Sequence, residues 1–244
     1  MTTRSRAIRI HKRVSERWIG EFSDAGGLWR FDAQGDPKRP HALLSSGLHS
    51  DAFVNTTFLI SRPDLLKKVT GDWRTQLARL ADPAGKGPAG AALAPTWIVG
   101  SAFGAITLAY EFARQMSCRA GFTEPEGGTL ICKRFPIGPE DRVCVVEDVV
   151  TTGGTTRQTI TACRNAGARV LPWIFVLVDR SDGKAFADVK LPAADGSGDA
   201  APTVVSCAKL AEVRTWKPDE CPLCAQGSEA VRPKGNWGKL TGKA

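Results

Sequence analysis

The stretch Val143 to Thr156, VCVVEDVVTTGGTT, constrains the fold of this chain more than any other. Four residues suited to a buried strand run into two adjacent acids, Glu147 and Asp148, and then into a cluster of threonines and glycines. Inside a strand the two acids would point to opposite faces, and one would be buried at great cost. If the strand stops at that point, the backbone can turn both toward one edge. Paired carboxylates there can accept hydrogen bonds from a vicinal diol or bind a hydrated metal. The glycines let successive backbone N–H groups line a concave nest, the threonines add hydroxyl donors, and a helix starting near Thr155 offers its positive end to an anion. The expectation is a sugar and a phosphate on one molecule. A threonine-capped glycine turn before a helix explains TTGG alone, but not the acid pair and buried strand joined to it.

The surrounding pattern alternates strand and helix. Leu65, Leu66, Val69, Trp73, Leu77 and Leu80 form a helical stripe over 64–80, with basic residues on the solvated face, and the Pro- and Gly-rich segment 81–95 reads as a loop. TWIVG (96–100) reads as a buried strand and 101–116 as a helix. CRAGF and TLICKR read as strands joined by the turn TEPEGG. RVCVVE (142–147) is a strand, Thr155 to Ala166 a helix stopped by Gly167, and WIFVLVD (173–179) a further strand. This order predicts an α/β fold with a central parallel sheet and helices on its faces. Ligands in such sheets bind beyond the carboxyl ends of the strands, where Ser101 to Gly104 and Glu147 to Thr155 fall. The less regular outer regions, 1–60 and 203–244, are expected to form a smaller subdomain over the site.

Composition narrows the class further. The 244 residues are 42% hydrophobic and 24% charged, which argues against global disorder. The net charge of +8 admits an anionic partner without choosing its class. No apolar run has the length of a membrane span, and the basic, acid-free start MTTRSRAIRIHKR reads as a solvated tail ahead of a transit peptide. The seven cysteines are odd in number and scattered, which is reduced, intracellular usage. Cys221 and Cys224 in CPLC are the one tight pair. No second CxxC or HxxxH accompanies them, and Cys207 is the other cysteine near in sequence, so CPLC reads as a turn with two thiols rather than zinc. GxxxxGK[ST] does not occur, which leaves P-loop chemistry without support.

VCVVEDVVTTGGTT resembles the motif that binds phosphoribosyl diphosphate (PRPP) in type I phosphoribosyltransferases. LLSSGLHSDAFVN (43–55), IVGSAFGAITLAYEFARQ (98–115), LVDRSDG (177–183) and DECPLCAQG (219–227) resemble orotate phosphoribosyltransferases in the same order. The resemblance implies that fold, with a hood from the N- and C-terminal regions. Its division of the chain is an N-terminal extension and first helix over 1–40, a phosphoribosyltransferase domain over 41–235 and a tail over 236–244. Within that domain it sets the core at about 95–180 and the hood at about 41–60 and 203–235. The implied reaction transfers ribose 5-phosphate from PRPP to N1 of orotate, giving orotidine 5′-monophosphate and pyrophosphate in pyrimidine biosynthesis. Glu147 and Asp148 would bind the ribose hydroxyls, and Val149, Val150, Thr151, Thr152, Gly153, Gly154 and Thr155 would complete the PRPP motif around the 5′-phosphate. Ser101, Ala102, Phe103 and Gly104 would meet the pyrophosphate. Ser46, Gly47, Phe53, Val54, Thr151 and Arg180 would border orotate. Mg2+ would ride on the pyrophosphate without direct protein ligands. A cytoplasmic homodimer with no nucleic-acid or membrane partner is implied as well.

Three cationic features of the family are missing or moved. Gly104 stands where many orotate enzymes carry a lysine, as does Ser45, and the loop that normally closes over the reaction is short and acidic up to Lys133 and Arg134. Arg119, Lys133 and Arg134 are the candidate replacements, and Lys133 and Arg134 join Glu147 and Asp148 as expected catalytic residues. The alternatives are a relative that acts on another base and a non-catalytic PRPP sensor.

Overall fold

The computed structural model describes residues 15–32, 36–82, 93–181, 183–210 and 213–242. The basic start of the chain and most of the 81–95 loop lie outside these residues. A six-stranded sheet forms the centre, in the order Thr203–Lys209, Arg169–Asp179, Arg142–Val150, Trp97–Ser101, Arg119–Glu126, Thr129–Ile131. The first five are parallel, and the last is an antiparallel edge strand. Crossovers built on helices suit parallel pairing, and helices on both faces bury the three inner strands almost throughout.

Side-chain alternation divides the strands between two cores. Ile98, Cys144, Val146, Phe175 and Leu177 face one core, with the helices Pro63–Ala81 and Ile106–Met116. Trp73 sits at its centre, 5.5 Å from Phe112 and 5.6 Å from Phe175 between ring centroids. Trp18 and Phe22, on helical residues 15–24, join the same core. Val99, Val143, Val145, Ile174 and Val176 face the other core, closed by Ile160 and Cys163 of the helix Gly154–Asn165.

A second, four-stranded sheet forms the hood, in the order Thr215–Trp216, His49–Ser50, His41–Leu43, Ala230–Val231. Its strands are two or three residues long, and among the described residues its apolar core holds four buried ones, Trp29, Ala42, Val231 and Leu240. Two regions differ from the sequence-based division. Thr203–Lys209, expected in the hood, is an edge strand of the main sheet, because its alternating Val205, Cys207 and Val204 complete the two cores. Residues 236–242, expected as a tail, hold the helix Trp237–Thr241, which packs Leu240 into the hood and sets Trp237 against Phe53 and Phe58. Among the described residues, no helix is long and apolar enough to cross a membrane.

Candidate active site

The strand Arg142–Val150 does not stop at Glu147 as the sequence suggested; it runs three residues further. The two acids therefore keep the alternation of the strand and point to opposite sides. Glu147 lies on the side of Val143 and Val145, is 4% exposed, and faces the start of the helix Gly154–Asn165. Its burial is offset by donors. Ser101 Oγ gives a 2.8 Å hydrogen bond and Thr156 Oγ1 one of 3.0 Å to Glu147 Oε2, and the Asp148 N–H reaches Oε1 at 3.2 Å. Thr159 bonds Ser101 at 2.9 Å and Thr123 at 2.9 Å, extending a hydroxyl network under the acid. Desolvation, reinforced by the neighbouring Asp148 charge, pushes the Glu147 carboxyl up to about 8 in spite of these bonds.

Asp148 faces the other way, toward the hood. Thr56 Oγ1 donates to its Oδ2 at 2.7 Å, and the Val149 N–H holds its Oδ1 at 2.8 Å. Gly104 lies directly against it. A Cβ built there would come within 2.5 Å of Asp148 Cγ, so a side chain at 104 requires the carboxylate to leave its place. That close approach is a physical reason for glycine where family members carry lysine.

Each acid opens onto its own cleft. A cleft of about 280 Å³ is walled by Asp148, Gly104 and Phe103 on one side and by Phe53, Val54 and Thr56 on the other. Phe103 is 78% exposed at its mouth, and Lys234 enters from the hood. A smaller cleft of about 100 Å³ is bounded by Glu147, Val149 and Thr151 to Thr156. Gly153 takes φ +78° and hands over to a helix whose first N–H groups have no side-chain cap. Such a nest binds a phosphate-sized anion through backbone donors and the helix dipole.

The remaining expected residues are distributed unevenly. Ser101 does not offer its side chain to a ligand: it is 1% exposed and its hydroxyl is held by Glu147 and Thr159. Val150 likewise turns its side chain into the second core. Ser46 and Gly47 form the tip of a hood hairpin, where Gly47 takes φ +83°, and line neither cleft. Thr151 lines the smaller cleft, apart from Phe53 and Val54. Arg180 leaves the strand Arg169–Asp179 with its N–H on Val150 O at 2.8 Å; burial pulls its guanidinium below the ordinary value, opposed by Asp51.

The cations expected to replace the missing lysines are not in the clefts. Arg119 starts its strand, at the end opposite the site, and stacks 5.1 Å over the Trp97 ring, which excludes it. Lys133 pairs with Glu126, and Arg134 makes a two-pronged pair with Glu124 at 2.7 and 2.9 Å. Lys234, which the sequence analysis missed, is the lysine that lines the larger cleft. Nothing in its RPKGNW context separates it from an ordinary surface lysine. Thr56, Thr123, Thr156 and Thr159 were missed for a related reason: a threonine in a strand or helix has no pattern that marks its partner.

The curated relatives decide the family. An enzyme named orotate phosphoribosyltransferase from Heliobacterium modesticaldum is 34% identical over 194 residues, 79% of this chain and 88% of that protein. One of the same name from Acidithiobacillus ferrooxidans is 36% identical, covering 79% and 87%. The chain belongs to the orotate phosphoribosyltransferase family. Among solved structures, orotate phosphoribosyltransferase from Aeropyrum pernix matches 78% of this chain and 92% of its own, at 24% identity and a TM-score of 0.53. UMP synthase from Leishmania donovani matches 81% of this chain at 22% identity and a TM-score of 0.54, and this chain spans 37% of that longer one. No protein-family model matches the chain. The solved structures carry the fold, an α/β phosphoribosyltransferase architecture, and the curated relatives carry the family.

Proposed function

We propose that this family member transfers the 5-phosphoribosyl group of PRPP to N1 of orotate, releasing pyrophosphate and orotidine 5′-monophosphate for pyrimidine synthesis. The observation that carries the reading is the pair of clefts on either side of Glu147 and Asp148, one a phosphate-sized nest and the other large enough for a base and a diphosphate. In this reading the nest Thr151–Thr155 holds the 5′-phosphate, and the ribose lies across the two acids. Gly104 and the backbone of Ala102 and Phe103 face the pyrophosphate with Lys234. Phe53 and Val54 border the base, with Arg180 at the end of its core strand and Ser46 and Gly47 at the hood hairpin tip as the further orotate contacts this reading assigns.

Breaking the bond from C1 to pyrophosphate develops positive charge on the ribose ring and negative charge on the leaving group. Asp148, held by Thr56 and the Val149 N–H, is a preorganised negative group for the first charge. Lys234 supplies a cation for the second. Lys133 and Arg134 join it if the hairpin exchanges their Glu126 and Glu124 partners for the diphosphate. Among the described residues, Asp148 is the single acid lining the larger cleft. That donor set is too small to cage a metal and suits Mg2+ that keeps its waters and arrives on the diphosphate. Bound there, Mg2+ would neutralise leaving-group charge.

A cytoplasmic homodimer is part of the same reading, supported by the resemblance of the sequence; light scattering of the purified protein tests the assembly. The activity is tested with orotate, uracil, hypoxanthine, guanine and adenine, each with PRPP and Mg2+, read as pyrophosphate release. Release with orotate alone supports the assignment. Release with another base moves it to that base, and PRPP binding without turnover of any base leaves a PRPP sensor.

A further inference from the structure

The turn CPLC does not stand alone in the fold. The hood brings it against two histidines from the other end of the chain. Cys221 Sγ lies 3.5 Å from His41 Nε2, and Cys224 Sγ lies 3.6 Å from the same nitrogen and 3.3 Å from His49 Nδ1. His41 Nε2 and His49 Nδ1 are 3.0 Å apart. All four ligating atoms fall within 4.8 Å of one another, and His41, His49 and Cys221 are buried. From these distances we propose that His41, His49, Cys221 and Cys224 form a structural zinc site that fixes the hood.

The geometry matches the ion. With Zn–S near 2.3 Å and Zn–N near 2.05 Å, a tetrahedron has S···N edges of about 3.6 Å and an N···N edge of about 3.3 Å. The three S···N distances given above and the N···N distance sit within a few tenths of an ångström of those edges, and the remaining two pairs lie within 4.8 Å. Two thiolates and two neutral imidazoles would leave the site without net charge, which suits its burial. His41 also has the outer partner that a ligating imidazole needs. Its Nδ1 lies 2.7 Å from Ser228 Oγ, and Ser228 in turn donates to the Arg39 carbonyl, which orients the ring with Nε2 toward the sulfurs. All four positions are filled by protein, the arrangement of a structural rather than a catalytic ion.

The hood has a physical need for such a tie. Its strands are two or three residues long and, among the described residues, its apolar core holds four buried ones, too little to hold together a sheet drawn from both ends of the chain. The ion would join the hairpin His41–Ser50 to the segment after Thr215–Trp216. It would also clamp both sides of the Leu44–Leu48 turn, whose tip carries Ser46 and Gly47.

The test is the metal content of the full-length protein, purified with reductant from zinc-supplemented cells and measured by mass spectrometry. About one zinc per chain is expected, released when the thiols are capped by a mercurial reagent. Exchange with Co2+ should give the intense visible bands of tetrahedral cobalt with thiolate charge transfer in the near ultraviolet. Cys224→Ser and His41→Ala should lose both signals, while Cys118→Ser, outside the cluster, keeps them. Folded wild-type protein that lacks zinc and takes up no cobalt overturns the proposal, as does zinc retained in both Cys224→Ser and His41→Ala. Because the wild-type measurement suffices, misfolding of a variant does not remove the test, and metal content is read independently of turnover.

Discussion

Glu147 shows how one buried acid can set the pH behaviour of this protein. Its proton is held up to about 8 in the folded chain and leaves at about 4.3 in an unfolded one, so between those values the native state binds the extra proton. The stability this contributes is fully present below the unfolded value and is lost as pH rises through about 8. Urea unfolding of the wild type between pH 5 and pH 9 should therefore show stability falling with pH. Glu147→Gln, which cannot ionise, should flatten that slope. Asp148 has a different task. Asp148→Asn keeps the size of the side chain but removes the charge, and kcat should fall about 100-fold or more with little change in Tm, the scale typical of a preorganised electrostatic group. At Gly104 the expected outcome is the same by another route: Gly104→Ala displaces the Asp148 carboxylate, and turnover drops while the protein still folds. The motif marked both acids from the sequence. What it could not mark is the division of labour, because the strand continues past them and the alternation of side chains parts them.

At the scale of elements, the loop Ser101–Ala105 depends on a close backbone approach. A Cβ on Gly100 would come within 2.8 Å of the Ala105 carbonyl carbon, so the chain could not fold back over the strand end before the helix Ile106–Met116 begins. Gly100→Ala should cost about 3 kcal/mol, measured by chemical denaturation, because backbone cannot rotate away as a side chain can. Helices and strands of the core were largely legible in sequence: the stripe through Trp73 and the strands read at 96–100, 142–147 and 173–179 overlap the observed Trp97–Ser101, Arg142–Val150 and Arg169–Asp179. The start of the helix read at 101–116 was set too early for the reason just given, since Ser101 ends the strand and 102–105 form a turn before Ile106. The hood strands were not legible, because two- and three-residue strands carry no period.

On the scale of the whole molecule, the candidate site is a seam between the core, which holds both acids, and the hood, which brings Lys234 and Phe53, backed by Trp237, to the larger cleft. Lys234 is exposed and among the described residues makes no ion pair of its own, so Lys234→Met should leave Tm unchanged. The KM for PRPP should rise about tenfold, as for the loss of one charged hydrogen bond, and the difference should shrink at high salt. Period and turn chemistry alone were enough to determine the parallel sheet, the glycine-rich turn into a helix at Thr151–Thr155 and the place of the acids near a strand's carboxyl end, because all three rest on neighbours within about one helical turn or one strand. Tertiary structure alone decided which groups meet across long separations. Thr56 reaches Asp148 over 92 residues, and His41 reaches Cys221 over 180. Side-chain contacts of that kind are set by how the hood closes on the sheet, a packing result that no local spacing encodes.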